Sequence, residues 1–451
     1  MKIIVTAAPL IGHFNPALAA GRLLAELGHE VVGYGPSALR RNIEASGLRF
    51  QALPAPADVN ISDIGRFFPE RRAMPPGYAT RRKAWERMFV ERMDVEHRGL
   101  SDLVNGIRAD LILAESMTFA TLPFLLGPRS ARPVIGHVGA TFLQLSRDDR
   151  APMFDGLPPA QNEVERQDYA RRMTEATSEW FDPIDAFINR VLHDHGRPAL
   201  PMPFYDAVVR LPDFFLQAGV PGLEFPRQDL PESLRFCGAT PPTPGLFPIP
   251  AWAADLEDGR KVVLVTQGTV ANGDFSQLIG PTLIALAEEP GLLVLAATGG
   301  RPVETLGPLP PNVRAAEYLP FDWLMPRVDL LVTNGGYGAV TQALSLGIPL
   351  VQAGTTEDKR EVGARIAWSG TGIVLDTDRP TPEQIHAAVC QALQTPTYGE
   401  RSRALATEFQ SHDLRATLAP MLEALVHAQS PGAGNRASLI RENPQHVAGV
   451  A

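Results

Sequence analysis

The sequence predicts an α/β protein built from two doubly wound domains, each a parallel sheet flanked by helices, facing each other across a cleft. Three observations predict it. Continuous apolar runs of five or six residues alternate with helical stretches, and this alternation occurs twice along the chain. A proline cluster (Pro241, Pro242, Pro244, Pro248 and Pro250) separates the two series. The length, 451 residues, exceeds what one hydrophobic core usually serves. The expected division is a first domain over 1–237, a stiff linker over 238–252, a second domain over 253–428 and a flexible tail over 429–451. The last helix of the second domain is in a position to pack back on the first.

Each element has a local reason. Lys2–Thr6 is an apolar run, as a central parallel strand requires. Asn15-Pro16 offers a cap and a first-turn proline, and Leu18, Leu23, Leu24 and Leu27 follow at helical spacing until Gly28. Glu30–Tyr34 reads as a strand, Ser37–Ala45 as a helix closed by Gly47, and Arg49–Leu53 as a strand. An arginine-rich amphipathic helix is expected over Arg81–Val104, then strands at Asp110–Ala114 and Pro133–Val138. After the linker the strands are Lys261–Thr266, Gly291–Ala297, Val328–Thr333, Ile348–Gln352 and Gly372–Leu375. Helices are expected at Phe275–Glu288, Gly338–Leu346, Lys359–Ser369, Pro382–Leu393 and Thr397–Val426. In such sheets ligands bind in the crevice at the carboxyl ends of the strands.

Composition narrows the partners. Hydrophobic residues are 45% and charged residues 20%, so a disordered chain is excluded. The net charge of −9 argues against nucleic acid, which calls for a basic stripe. The arginines from Arg71 to Lys83 read as a solvated helix face. Cys237 and Cys390 are too far apart in sequence to suggest a disulfide framework or a zinc motif, which points to a reducing, cytoplasmic location. No apolar run reaches membrane-span length, and Met1–Ala8 reads as a buried strand rather than a leader.

Five loops at strand ends carry candidate chemistry. In Pro9–Pro16, His13 stands just before the expected helix, whose positive end disfavours imidazolium. A neutral imidazole in a cleft suits a general base, although a histidine packing the turn fits equally. Glu115 ends the fourth strand, which in a 3-2-1-4 sheet lies beside strand 1. It is either the carboxylate partner of His13 or a plain strand-end acid, and Ser116 could serve too. Thr333–Val340 (Asn334, Gly335, Gly336, Gly338, Ala339) joins a strand to a helix. Its glycines and free N–H groups suit a diphosphate, or serve a tight helix–strand turn; it is neither a dinucleotide fingerprint nor a Walker loop. Gly268 and Thr269, at the end of the second domain's first strand, could give a close backbone and a hydroxyl to the same phosphates or form a plain strand-to-loop turn, and Gly299 lies in a similar loop. Asp358, in Thr355–Lys359, could accept bonds from sugar hydroxyls or cap the helix that follows.

With these residues in place the chain resembles the family 1 glycosyltransferases, the UDP-glycosyltransferase superfamily of GT-B fold, and among them the bacterial macrolide and natural-product enzymes. The resemblance covers residues 1–428 and is strongest from Arg314 to Leu375. Asn334–Val351 is similar to the family's donor signature, and Gly12–Pro16 to its acceptor-side loop. The resemblance implies inverting, metal-independent transfer from a UDP- or TDP-sugar as co-substrate, with no other cofactor. His13 falls on the general base and Glu115 on its partner, usually aspartate. Tyr318 falls on the aromatic that stacks on the nucleobase, and Thr269 on a serine at the domain start. Asn334 falls on a phosphate-binding histidine, Gly338 and Ala339 on Gly/Ser phosphate contacts, and Asp358-Lys359 on a sugar-binding Asp-Gln. The departures at Asn334, Ala339, Lys359 and Glu115 bear on phosphate binding, donor choice and the geometry of the pair. Phe14, Phe67, Phe68, Trp85, Phe89 and Phe119 are expected to line an apolar acceptor pocket. The alternatives are a nucleotide-sugar epimerase of the same fold, or a weakened sugar-nucleotide-binding protein.

Overall fold

The computed structural model describes residues 1–61, 64–242, 246–269 and 271–428. Pro244 of the proline cluster and the tail 429–451 lie outside the described residues. Two parallel sheets form the frame. The first has seven strands in the order β3-β2-β1-β4-β5-β6-β7: β1 (Lys2–Thr6), β2 (Glu30–Gly35), β3 (Arg49–Ala52), β4 (Leu111–Glu115), β5 (Val134–Gly139), β6 (Phe214–Gln217) and β7 (Leu234–Phe236). The second has six, in the order β10-β9-β8-β11-β12-β13: β8 (Lys261–Thr266), β9 (Leu292–Ala297), β10 (Val313–Ala316), β11 (Leu330–Thr333), β12 (Leu350–Ala353) and β13 (Gly372–Leu375). In each sheet the order reverses beside the first strand, so β1 lies against β4 and β8 against β11. That reversal opens a crevice at the carboxyl edge.

Three strands escape the sequence reading: β6, β7 and β10 are only three or four residues long. The long helices also differ. The helix expected over Arg81–Val104 is two helices, Tyr78–Trp85 and Met93–Ile107, joined through a π turn at Glu86–Val90. Thr397–Val426 is likewise two, Pro396–Gln410 and Leu414–Ala428. The first helix starts at Ile11, four residues before the expected cap. Leu10 is extended, and the backbone N–H groups of His13 and Phe14 donate to its carbonyl. Pro16 therefore sits in the second turn, where it forfeits only the bond to the carbonyl four residues back.

The apolar core does not stop at the domain boundary. One cluster of buried side chains runs from Phe119, Trp180 and Phe215 of the first domain to Leu264, Leu331, Tyr337 and Phe409 of the second. Leu414, Leu418 and Leu422 of the last helix belong to the core beneath the first sheet, and Arg415 pairs with Glu26. A buried ionic knot also joins the halves. Arg365, on the helix Lys359–Ser369, binds Glu224 at 2.9 Å and Glu361 at 2.7 Å, and Glu361 accepts from the Gly156 N–H. Among the described residues, no helix is long and apolar enough to cross a membrane.

Candidate functional site

His13 sits in the first turn of its helix, at the carboxyl end of β1, rather than ahead of the helix. Its Nδ1 lies 3.1 Å from Glu115 Oε1. The contact is off the line of the N–H, so it is a close charge pairing rather than a well-aligned hydrogen bond. Adjacency of β1 and β4 produces it, since Thr6 pairs with Ala114 one residue before Glu115. Glu115 is 1% exposed, so it is not a solvated strand-end acid. Ser116 Oγ donates to its Oε1 at 3.1 Å, while its Oε2 is buried without a partner.

The electrostatics correct one expectation. The helix end was expected to keep His13 neutral, yet its pKa stands above the ordinary histidine value. Burial works against the imidazolium, but the charge and contact of Glu115, with Asp358 adding to them, outweigh it. His137 on β5 shows the opposite balance. Burial drives it down to about 4, and its ring bonds to Thr121 Oγ1 and the Val208 carbonyl.

Beside His13 stands an aromatic wall. Its ring lies 5.4 Å from Phe89, Phe89 lies 5.3 Å from Trp85, and Trp85 meets Phe154 and Trp180, each at 5.4 Å. Phe89 comes from the π turn Glu86–Val90, and Trp180 with Phe181 from a second π turn, Thr177–Phe181. The extra residue in each turn rotates these rings off the ordinary helical register, a device common at functional sites. Phe119 packs on Phe204 in the same cluster. Phe68 is buried in this core, and Phe67 lies beneath the guanidinium groups of Arg87 and Arg92. Phe14 is a correction: it is fully buried between helix and sheet, against Gly35, and does not face the cleft. Consecutive helical side chains point about 100° apart, so His13 and Phe14 cannot both turn to the same side.

The second domain presents mostly backbone. The helix Tyr337–Ser345 is capped by Gly336 with no side-chain cap bond, so the N–H groups of Tyr337, Gly338 and Ala339 lack intrahelical partners. Gly338 is exposed, and a side chain there would meet open space. Gly335 holds φ +97°, which a side chain would strain. Asn334 Nδ2 donates to the Gln267 carbonyl at 2.6 Å, so one of its two donors ties the β11 loop to the β8 loop. Gly299 serves loop packing, because a Cβ there would stand 2.1 Å from the Gly268 carbonyl. Thr269 is half-buried at the same edge. Tyr318 is 43% exposed, and the linker's Phe247 already stacks on its ring at 4.7 Å and 4°.

Glu357 and Asp358 meet the first domain. Asp358 makes no side-chain cap; its Oδ2 accepts instead from Thr141 Oγ1 at 2.5 Å. Lys359 is buried and pairs with Glu357 at 2.5 Å, and Glu357 also accepts from Arg71 at 2.9 Å. Burial opposes the Glu357 carboxylate, but Lys359 and Arg71 hold it well below the usual range. Glu357 adopts φ +50°, a strained conformation for a side-chain-bearing residue. Arg71 and Arg81, which pairs with Asp155, are thus not part of a solvated basic face. Sequence reasoning missed Thr141, Arg71, Glu357 and Tyr337, whose hydroxyl crosses to the Ala218 carbonyl at 2.8 Å. Glu357 carried a signal, its place at the head of five consecutive charged residues, and Arg71 was read only as part of a solvated face.

Residues 287–425 match the family described as "Erythromycin biosynthesis protein CIII-like, C-terminal domain". The chain is 33% identical over 436 residues to 4'-demethylrebeccamycin synthase of Lentzea aerocolonigenes, covering 94% of this chain and 99% of that one. It is 31% identical over 445 residues to UDP-glycosyltransferase 2 of Phaeomoniella chlamydospora, covering 94% and 96%. The fold is similar to that of CalG4, the calicheamicin glycosyltransferase, with a TM-score of 0.70 at 18% identity over 95% of this chain and 99% of that one. The chain therefore belongs to the family 1 glycosyltransferases, the UDP-glycosyltransferase superfamily of GT-B fold, and is a glycosyltransferase.

Proposed function

We propose that this glycosyltransferase moves a sugar, with inversion, from a nucleoside diphosphate sugar to a hydroxyl of a small apolar or aromatic natural product. UDP-glucose or a similar UDP- or TDP-sugar is the donor. The observation that carries the reading is the contact of His13 with the buried Glu115, at the carboxyl edge beside an aromatic wall and within the field of Asp358. His13 Nε2 takes the acceptor hydroxyl proton as the oxygen attacks C1 of the sugar, and Glu115 stabilises the imidazolium. The diphosphate departs toward the N–H groups of Tyr337, Gly338 and Ala339, whose dipole takes up the developing charge without requiring a metal. Asp358 and Lys359 face the sugar, and Tyr318 takes the base. The buried thiol of Cys237 and the unpaired Cys390 support a reducing, cytoplasmic location.

The test is release of free nucleoside diphosphate by wild type and His13→Ala, over a panel of UDP- and TDP-sugars with aromatic acceptors. Wild type should turn over, and the variant should bind donor but lose the chemical step. Transfer that survives His13→Ala with the fold intact would remove His13 as the base.

A further inference from the structure

The chemistry above uses neither cysteine, and one of them lies in a mixed cluster far from the cleft. His386 and Cys390 are one helical turn apart on the helix Pro382–Gln394, so their side chains emerge on one face. Glu289 reaches the same point from the segment between the helix Ile279–Ala285 and β9. Its Oε1 lies 2.7 Å from His386 Nε2. Cys390 Sγ lies 3.7 Å from that nitrogen and 3.9 Å from Nδ1. The three donor atoms all fall within 4.8 Å of one another.

We propose that Glu289, His386 and Cys390 form a zinc site that fastens these two segments together at the amino edge of the second sheet. The donor set is the argument. One thiolate, one imidazole and one carboxylate suit zinc and not magnesium or calcium, which take oxygen. Bonds of about 2.3 Å to sulfur and 2.0 Å to nitrogen at tetrahedral angles put those donors roughly 3.5 Å apart. The observed sulfur–nitrogen gap needs little change, and the nitrogen–oxygen pair opens by about half an ångström. A surface hollow of about 570 Å³, bordered by Glu289, His386, Leu283, Ile284 and Leu306, leaves room for water as a fourth ligand. The joined segments already share a core through Ile279, Leu283, Ile385 and Val389, and the site adds a cross-link to it. Glu289 precedes β9 while the cleft follows it, so the ion takes no part in transfer.

The experiment titrates the chelator-treated full chain with Co²⁺, then displaces it with Zn²⁺. One equivalent should give tetrahedral cobalt bands with a thiolate-to-cobalt charge-transfer band, and Zn²⁺ should raise Tm. Cys390→Ser should abolish the charge-transfer band, and His386→Ala should weaken binding at least tenfold. Cys237 is the internal control: it is buried, bonded to the Gln217 carbonyl and pushed up to about 12 by burial. Absence of the band in wild type, or its survival in Cys390→Ser, would overturn the site. Loss of glycosyl transfer on chelation would overturn its remote, structural role.

Discussion

The two sheets meet the cleft with different chemistry. At the edge of the first, reactivity lies in side chains: His13 against Glu115, flanked by rings that two π turns deliver. At the edge of the second it lies in the backbone: a glycine-capped helix end, a left-handed Gly335, and loops packed so closely that Gly299 admits no side chain. The difference fits the task proposed for each. Moving a proton needs one group of tuned basicity at one place. Holding a diphosphate needs several weak donors arranged in advance, and main-chain N–H groups supply them at fixed positions. Side-chain substitutions should therefore be severe on the first edge and mild on the second.

The largest expected effect is that of His13→Ala. Removing the base should lower kcat by about 10³- to 10⁴-fold and leave the donor KM nearly unchanged. Single-turnover transfer separates this from slow product release. A loss below tenfold would mean that His13 only shapes the pocket, and the contrast between the edges would collapse. Glu115→Gln comes next, with kcat down by roughly 10²-fold, because the imidazolium loses its counter-charge. Its pH profile is the sharper measure. The base works deprotonated, and the pKa of His13 stands above 6.5, so the wild-type acid limb should fall above pH 6.5. Without Glu115 burial dominates, and the limb should move below that value. An unmoved limb would show that another group is titrating.

The same contrast explains what the sequence disclosed. β1, β4, β8 and β11 are buried apolar runs, so the strand order and the edge carrying His13 and Glu115 were readable. The glycine-rich loop at Asn334–Ala339 was readable because backbone chemistry leaves a mark in residue type. The aromatic wall was read only as composition. A π turn has no periodicity signature, so Phe89 appeared on a continuous helix; Phe14 was misplaced separately, because the first helix starts at Ile11 and turns it into the core. Thr141 with Asp358, and Arg71 with Glu357, are more than 200 residues apart, and nothing local announces such pairs. The protonation of His13 was misjudged in its balance: the helix end and Glu115 were both visible, but the full burial of Glu115 and the added charge of Asp358, which outweigh the helix end, were not.

On the second edge, Tyr318→Ala should raise the donor KM by about three- to tenfold, the worth of one aromatic stack, with kcat nearly constant. Nucleotide titration of the two proteins gives the comparison. Phe247 already covers one face of Tyr318, so the base must use the other face or displace Phe247. An effect on kcat as large as that on KM would show that the ring also positions the reacting sugar.

The smallest effect should come from Asn334→Ala, although the resemblance sets it at the position of a phosphate-binding histidine. One Asn334 donor already holds the Gln267 carbonyl across two loops, and the neighbouring N–H groups keep their position without its side chain. The donor KM should rise by less than about threefold, while stability falls by about 1 kcal/mol for the lost buried bond. Thermal unfolding and donor titration on the same sample separate the two consequences. If the KM instead rose more than tenfold with Tm unchanged, the amide would be a direct phosphate ligand. The second edge would then use side chains as the first does, and the division between them would fail at the one residue where it is easiest to test.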